Sequence, residues 1–323
     1  MMPPLKGAAS FQVPAVSPKG GRTPFPPGMF NFNQEVLLRT RFALLIMALS
    51  IVLFSFPALA NADKGPVKIA YVEWDCAAAS TNVVKAALEE EMGYDVELYP
   101  VAAAAMWQAV GTGDVDAMVT AWLPVTHADY FNKVKDSVEK LGPIAGGARL
   151  GWAVPSYVTE VDSIDQLNEN ADMFGGKIYG IDPGAGLMRL SDKAMKEYDL
   201  DKMELMEGSG ATMVGMLANA YKKKEPIVIT TWSPHWMFGK WDLKYLKDPK
   251  GVMGGEEQIY TIVRNDLKDD MPEVYEFFKN FKWKSSSQLQ MVMAWNQEEG
   301  ADRYENALRF IKENPEQVQS WVK

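Results

Sequence analysis

Three tryptophans stand at the ends of apolar runs that are typical of buried strands. Trp122 and Trp232 are each followed two residues later by a proline, and Trp74 ends the run that begins at Val67. In open α/β sheets, ligands bind outside the carboxyl ends of the strands, so the three indoles are expected at one site. The face of an indole attracts a cation. This pattern therefore predicts an aromatic cage for an organic cation.

Trp74 and Trp122 belong to a predicted series of strand, helix, strand, helix and strand over residues 67–122. Ser80 and Thr81 are expected to cap the first of these helices. A βαβαβ order indicates a mostly parallel sheet. A polar helical stretch is then expected over residues 127–141.

A second α/β series follows the apolar run at residues 150–158 and ends at Trp232. The run at 257–264 would return the chain to the first series, and helices follow from Pro272. The chain would thus pass twice between two α/β lobes. The cleft between two such lobes can close around a small ligand. The predicted division is residues 1–62 for an N-terminal extension and signal peptide, residues 63–151 plus 258–323 for the first lobe, and residues 152–257 for the second lobe.

The N-terminal segment has the pattern of a secretory signal peptide. Arg39 and Arg41 precede an apolar run over residues 42–53, and small residues follow. We predict cleavage near Ala60 or Ala62, which would leave a periplasmic protein. An uncleaved membrane anchor is the alternative, because the apolar run approaches the length of a short spanning helix.

The composition restricts the partners and the chemistry. The formal net charge is -9 at pH 7, so nucleic acid and anionic membrane surfaces are poor partners. Cys76 is the only cysteine, which excludes an internal disulfide and a cysteine-based zinc site. With two histidines and no cluster of carboxylates, we expect no metal and no cofactor. The sequence holds neither a Gly-x-Ser-x-Gly elbow nor a phosphate loop, so we do not expect an enzyme.

Four motifs resemble those of the glycine betaine substrate-binding proteins of ABC importers. They are Tyr71–Asp75, Ala121–His127, Gly180–Gly186 and Thr231–Phe238. The resemblance covers essentially the whole chain after the signal peptide. It implies an α/β, two-lobed periplasmic-binding-protein fold of a type II-like kind, with the ligand in the cleft between the lobes.

In that family, three tryptophans surround the trimethylammonium group of the ligand, while backbone amides and a histidine hold its carboxylate. The resemblance assigns the aromatic cage to Trp74, Trp122 and Trp232, and the carboxylate to the amides of Gly180 and Ile181 and to His127. Free N–H groups before a helix favour an anion, which agrees with the second assignment. His235 and Trp236 are expected to support Trp232 from behind.

The expected function is that of a periplasmic substrate-binding component of an ABC importer that captures glycine betaine. Its expected partners are an inner-membrane ABC permease with its ATPase, and we expect the protein to be a monomer. Proline betaine, carnitine and dimethylsulfoniopropionate carry the same two groups and remain open as ligands. Choline, which lacks the carboxylate, is the alternative ligand, and a binding protein that serves a chemoreceptor is the alternative role.

Overall fold

Apolar and β-branched runs form the strands of a mixed sheet. The computed structural model describes residues 65–323, so the predicted signal peptide and its cleavage sites lie outside the described residues. The strands are β1 (Val67–Tyr71), β2 (Val96–Pro100), β3 (Ala117–Leu123), β4 (Val138–Pro155), β5 (Lys177–Tyr179), β6 (Glu204–Met206), β7 (Val228–Ser233), β8 (Leu243–Tyr245) and β9 (Glu257–Arg264).

The helices lie between these strands and after the last of them. They are α1 (Asp75–Met92), α2 (Ala103–Thr112), α3 (Ala128–Val134), α4 (Gly186–Glu197), α5 (Gly210–Lys223), α6 (Met237–Lys240), α7 (Leu267–Asp270), α8 (Pro272–Asn280), α9 (Ser286–Trp295), α10 (Arg303–Glu313) and α11 (Pro315–Gln319). Short 3-10 helices cover Ile164–Gln166 and Ala171–Phe174. Within residues 65–323, none of the helices combines the length and the apolar character that crossing a membrane would require.

The strand order is β2-β1-β3-β9-β4-β7-β5-β6, with β8 paired to β4. β1 pairs in parallel with β2 and β3, and β5 pairs in parallel with β6 and β7, as the alternating series predicted. β9 runs antiparallel between β3 and β4, which makes the sheet mixed. The chain thus returns to its first strands through β9, as the sequence indicated.

The long strand β4 belongs to both halves of the sheet. It pairs with β9 as far as Ala148 and with β7 from Arg149 onward. Below, the first lobe means β1, β2, β3, β9 and β4 up to Ala148 with the helices α1–α3 and α7–α11. The second lobe means the rest of β4 with β5–β8 and α4–α6. The boundaries predicted at 151/152 and 257/258 stay a prediction.

The helix predicted over residues 127–141 is shorter than expected. Only Ala128–Val134 is helical, and the chain enters β4 at Val138. Val138 and Leu141 are buried there, alongside the β9 residues with which this part of β4 pairs. Pairing and burial override the weak helical preference of this polar stretch.

Helix α1 begins earlier than its capping signals predicted. β1 ends at Tyr71, Trp74 is the extended residue before the helix, and Asp75 is its first residue. An acidic residue in the first turn is favourable because of the helix dipole. Ser80 and Thr81 lie buried inside the helix, and the Ser80 hydroxyl accepts a hydrogen bond of 3.1 Å from Trp283 Nε1. Tertiary burial, and not capping, therefore decides their place.

A buried carboxylate joins three strands of the first lobe. Asp116 precedes β3, and its Oδ2 accepts a hydrogen bond of 2.8 Å from the backbone N–H of Lys68 in β1. Its Oδ1 lies 2.8 Å from Nε of Arg264, the last residue of β9. Only 9% of the Asp116 side chain is exposed. The positions of β1, β3 and β9 relative to one another therefore depend on this one group.

We predict that Asp116→Ala destabilises the protein by about 1–3 kcal/mol, because it leaves the backbone N–H of Lys68 and Nε of Arg264 without an acceptor, although Arg264 keeps its ion pair with Asp270. Urea denaturation measures the change in the free energy of unfolding. The control is Asp114→Ala, two residues away, where an exposed carboxylate accepts from the Thr112 hydroxyl. Equal losses in the two variants would contradict the role of Asp116.

Candidate ligand-binding site

A cavity between the two lobes encloses about 320 Å³ of atom-free space, its mouth included. The first lobe lines it with Trp74, Cys76, Trp122, Thr126 and His127, and the second lobe with Leu150, Ile181, Ala185, Gly186, Leu187 and Trp232. The structure thus brings the three predicted cage tryptophans, His127 and Ile181 together in one cavity.

Two of the tryptophans occupy equivalent places in the two lobes. Trp122 is the penultimate residue of β3, opposite Ile259 of β9, and Trp232 is the penultimate residue of β7, opposite Leu150 of β4. The peptide bond before the following proline is cis in both motifs. Both indoles are buried at the strand ends. The position in the strand therefore delivers each ring to the cleft.

Trp74 reaches the same cavity from the turn before α1. Its Nε1–H donates a hydrogen bond of 2.8 Å to Oδ2 of Asp182, which belongs to the second lobe. Its ring stacks on the imidazole of His127, with ring centroids 5.8 Å apart and planes inclined by 23°. Asp182 of the second lobe thus holds the edge of the ring, and His127 of the first lobe covers one of its faces.

His127 is a neutral hydrogen-bond donor at the cavity wall. Its Nδ1 accepts the backbone N–H of Trp122 at 3.1 Å, so the ring proton resides on Nε2. Complete burial, with a smaller contribution from the positive charge of Arg189, lowers the pKa of His127 to about 3. The imidazole therefore stays uncharged at physiological pH and can offer one N–H to a ligand.

Glu257 holds the loop between Trp122 and His127. Its Oε1 accepts the backbone N–H of Val125 at 2.6 Å and that of Thr126 at 2.9 Å, and its Oε2 is hydrogen-bonded to the Thr126 hydroxyl. The Glu257 side chain is buried at the start of β9. No local pattern in the sequence marks this residue, because its partners lie more than 130 positions away in the chain.

The structure gives the two predicted amide donors other hydrogen-bond acceptors. The Gly180 N–H donates to the Met206 carbonyl at 2.9 Å, and Gly180 is not among the residues that line the cavity. Ile181 lines the cavity, but its N–H points to Sδ of Met188 at 3.3 Å. A side chain on Gly180 would collide with the same sulfur, at 2.4 Å. The glycine thus serves the packing of β5 against α4.

The start of α4 offers free backbone donors instead. Ala185 is the extended residue before this helix, and Gly186 and Leu187 are its first two residues. The N–H groups of a first helical turn have no carbonyl of the preceding turn to bind, and the helix dipole is positive there. Both residues line the cavity. Gly186 packs directly against the loop that contains Thr126 in the first lobe. A Cβ at Gly186 would lie 2.2 Å from the Thr126 carbonyl oxygen.

His235 and Trp236 lie behind the cage and not on its surface. The His235 ring meets Trp232 edge to face at 4.6 Å, and its Nδ1 accepts the Met237 N–H at 3.2 Å. Trp236 Nε1 donates to Oδ2 of Asp75 at 2.6 Å. Burial lowers the pKa of His235 to about 3 and raises the pKa of Asp75. Their role in orienting Trp232 stays a prediction.

Several lining residues were missed by sequence reasoning. Cys76 follows Trp74 by two residues and Gly186 ends one of the four motifs, but neither residue type by itself indicates a binding site. Leu150 reaches the cavity because it pairs with Trp232 across β4 and β7, and the sequence does not reveal this pairing. The Cys76 thiol is buried, and this burial raises its pKa to about 12, so it is protonated and unreactive.

Comparison with known proteins bears on the identity of this site. Residues 65–313 match the family described as the substrate-binding domain of an ABC-type glycine betaine transport system. The chain belongs to this family. Substrate-binding proteins of ABC importers are extracellular or periplasmic, so this member of the family works outside the cytoplasm.

Two curated relatives are similar in sequence. The glycine betaine/carnitine transport binding protein GbuC of Listeria monocytogenes is 41% identical over 177 residues, which cover 54% of this chain and 56% of the relative. The glycine betaine/proline betaine-binding periplasmic protein of Salmonella typhimurium is 25% identical over 171 residues, covering 47% of this chain and 51% of the relative. The chain spans about half the length of these two relatives.

Solved structures extend the similarity to 80% of this chain. The glycine betaine/L-proline-binding protein ProX of Borrelia burgdorferi has a TM-score of 0.77 at 36% identity, with 97% of its chain covered. Lactococcal OpuAC in its closed form with glycine betaine has a TM-score of 0.75 at 42% identity, with 99% covered. A choline-binding protein with choline has a TM-score of 0.74 at 26% identity, with 91% covered. The predicted two-lobed α/β fold is confirmed.

We predict that His127 makes the folded protein less stable in mild acid. Histidine in the unfolded chain takes up a proton near pH 6.5, whereas the pKa of His127 in the folded protein is about 3. Between these values the unfolded state binds more protons, so the free energy of unfolding falls as the pH falls, by up to about 1.4 kcal/mol per pH unit. Urea denaturation between about pH 5 and pH 7 measures this slope.

His127→Gln is the matched variant for this measurement, because it cannot take up the proton while His235 and all carboxylates remain. We expect its slope to be shallower than that of the wild type by the contribution of one group. Parallel slopes in the two proteins would contradict a buried, neutral His127.

Proposed function

We propose that this protein captures glycine betaine, or a related zwitterionic quaternary ammonium or sulfonium compound, and delivers it to an inner-membrane ABC permease with its ATPase. The observation that carries the proposal is the cavity itself, in which three indoles from two lobes meet a neutral histidine and the start of a helix. Transport by relatives of the same family supports it.

The cationic end would be held by Trp74, Trp122 and Trp232. A quaternary ammonium group has no N–H, so hydrogen-bond acceptors cannot recognise it, whereas indole faces meet both its charge and its apolar methyl groups. A desolvated contact of this kind contributes about 2 kcal/mol. Three contacts would supply most of the roughly 8 kcal/mol that correspond to micromolar affinity.

The carboxylate would be held by the Nε2–H of His127 and the backbone N–H groups of Gly186 and Leu187. A carboxylate in a closed cleft without such donors would be strongly unfavourable. Helix starts bind anions through their free N–H groups and the helix dipole. We place these donors at Gly186 and Leu187 instead of Gly180 and Ile181, because the Gly180 and Ile181 N–H groups already point to Met206 and Met188.

Choline is the second candidate, because one similar solved structure is a choline-binding protein with choline. Choline keeps the trimethylammonium group but would leave the donors of His127 and α4 without an acceptor. The neutral His127, with its donor on Nε2, therefore favours a zwitterion. One relative is named as a transport binding protein and the other as a binding protein, so we expect the ligand to be released unchanged.

The finer location is also a proposal. We infer a periplasmic protein that is exported by the signal peptide and cleaved near Ala60 or Ala62. Amino-terminal sequencing of the exported protein tests this inference, and a mature protein that retains the apolar run at 42–53 would favour the membrane anchor.

We predict that glycine betaine binds at least about tenfold more tightly than choline, because choline lacks the group that the helix start and His127 would hold. Titration of the intrinsic tryptophan fluorescence with glycine betaine, dimethylsulfoniopropionate, proline betaine and choline measures the dissociation constants in parallel. Choline as the tightest ligand would replace the betaine proposal by the choline one. Chemical conversion of a bound ligand would reject a transport role.

We predict that Trp232→Ala weakens the binding of glycine betaine by about tenfold or more, through the loss of one cage wall. Trp232→Phe is the matched variant, because it keeps an aromatic face, and its loss should be smaller. Calorimetry gives the dissociation constants, and thermal melting shows that both variants fold. An unchanged dissociation constant in the alanine variant would remove Trp232 from the site.

A further inference from the structure

Contacts between the lobes continue outside the cavity, on the side of α4 that faces the loop after β3. Arg189 of α4 places Nη2 at 3.1 Å from the Val125 carbonyl and 3.4 Å from the Thr126 carbonyl. Its Nε lies 3.2 Å from Oδ2 of Asp129. Tyr130 of α3 donates from its hydroxyl to the Gly184 carbonyl at 2.8 Å. Neither Arg189 nor Tyr130 is among the residues that line the cavity.

We propose that Arg189 and Tyr130 form a latch between the lobes that sets the stability of the closed form, and so scales the affinity for every ligand by one common factor without choosing among ligands. This inference rests on the proposed function. It separates the residues that recognise the ligand from residues that only hold the cleft shut.

The peptide group between Val125 and Thr126 gives the latch a rigid target. Its N–H, on Thr126, donates to the buried carboxylate of Glu257 at 2.9 Å, and its carbonyl, on Val125, accepts from Arg189. A negative group at the N–H and a positive group at the oxygen both favour the peptide dipole in this orientation. The loop of the first lobe is therefore fixed before the guanidinium of the second lobe meets it.

The exposed ion pair contributes little to this latch. The side chains of Arg189 and Asp129 are 44% and 64% exposed, and ion pairs in such surroundings contribute about 0–1 kcal/mol. The bonds to the carbonyls of Val125 and Thr126 differ, because those oxygens belong to a backbone held in place by Glu257. Arg189 is therefore expected to act through the carbonyls and not through Asp129.

Close approach of the lobes is a condition for these bonds. The Thr126 carbonyl that faces Arg189 would lie 2.2 Å from a Cβ at Gly186, one helical turn before Arg189. Any side chain at Gly186 would push the loop away from α4. The absence of a side chain there lets the latch form.

A latch of this kind has a defined effect on binding. When only the closed form binds tightly, the apparent dissociation constant is the intrinsic one divided by the closed fraction. Removing a latch bond lowers that fraction before any ligand is present. The dissociation constants of all ligands must then rise by the same factor, whereas a residue that holds the carboxylate changes the ratio between glycine betaine and choline.

The test measures dissociation constants by calorimetry for glycine betaine, dimethylsulfoniopropionate and choline. Arg189→Met removes the donors and keeps the aliphatic stem, Tyr130→Phe removes one hydroxyl, and Asp129→Asn is the matched control. We expect Arg189→Met to raise all three constants by about fivefold with their ratios unchanged. Tyr130→Phe should raise them by a smaller common factor, and Asp129→Asn should leave them within about twofold.

Two results would overturn the latch. Unchanged constants in Arg189→Met would show that the contacts do not stabilise the closed form. A loss for glycine betaine without a loss for choline would show that the Arg189 charge attracts the carboxylate, which is ligand recognition.

Failure of the proposed function would look different, because the wild type itself would then bind none of the three compounds. In that case small-angle scattering compares the lobe separation of the wild type with that of Arg189→Met. A more extended variant would support the latch alone, and identical scattering curves would reject it.

Discussion

The buried carboxylate of Glu257 accepts the backbone N–H groups of Val125 and Thr126 and thereby fixes the short loop that joins β3 to α3. That loop begins after Trp122 and ends at His127, so one anchor positions a wall of the aromatic cage and the proposed donor to the carboxylate. Its carbonyls also face the second lobe. The proposed recognition of the cation and of the carboxylate and the contact between the lobes all depend on the conformation of these few residues, and this conformation depends on a group at the start of β9.

The two lobes also exchange indole hydrogen bonds in a reciprocal manner. Trp74 of the first lobe donates to Asp182 of the second, and Trp236 of the second lobe donates to Asp75 of the first. Each acceptor adjoins a site element of its own lobe, since Asp75 follows Trp74 and Asp182 follows Ile181. The carboxylates hold indole edges, and for Trp74 this leaves the ring face opposite His127 free of these contacts. Approach of the lobes and completion of the cage are therefore the same structural event.

The sequence predicted those parts of the site that depend on local pattern. A strand that ends in tryptophan and proline places its indole at the sheet edge, and this was sufficient to predict that Trp122 and Trp232 reach one cavity. Glu257 and Arg189 could not be found in this way, because their partners are distant in the chain and belong to other elements. Gly180 illustrates the same limit, since the sequence predicts an anion site before a helix but cannot reveal that the Gly180 N–H donates to the Met206 carbonyl.

The distribution of charge explains why the cavity wall carries a neutral donor. A zwitterion of small size places its two charges close together, so a fixed positive charge at the carboxylate would also repel the ammonium group. A neutral imidazole and the partial charges of a helix start attract the anion with less repulsion of the cation. The full charge of Arg189 lies beyond the wall, where it is used on backbone carbonyls of the opposite lobe. Placed there, the guanidinium can hold the lobes together without adding a full positive charge to the cavity wall, which suits the proposed zwitterionic ligand.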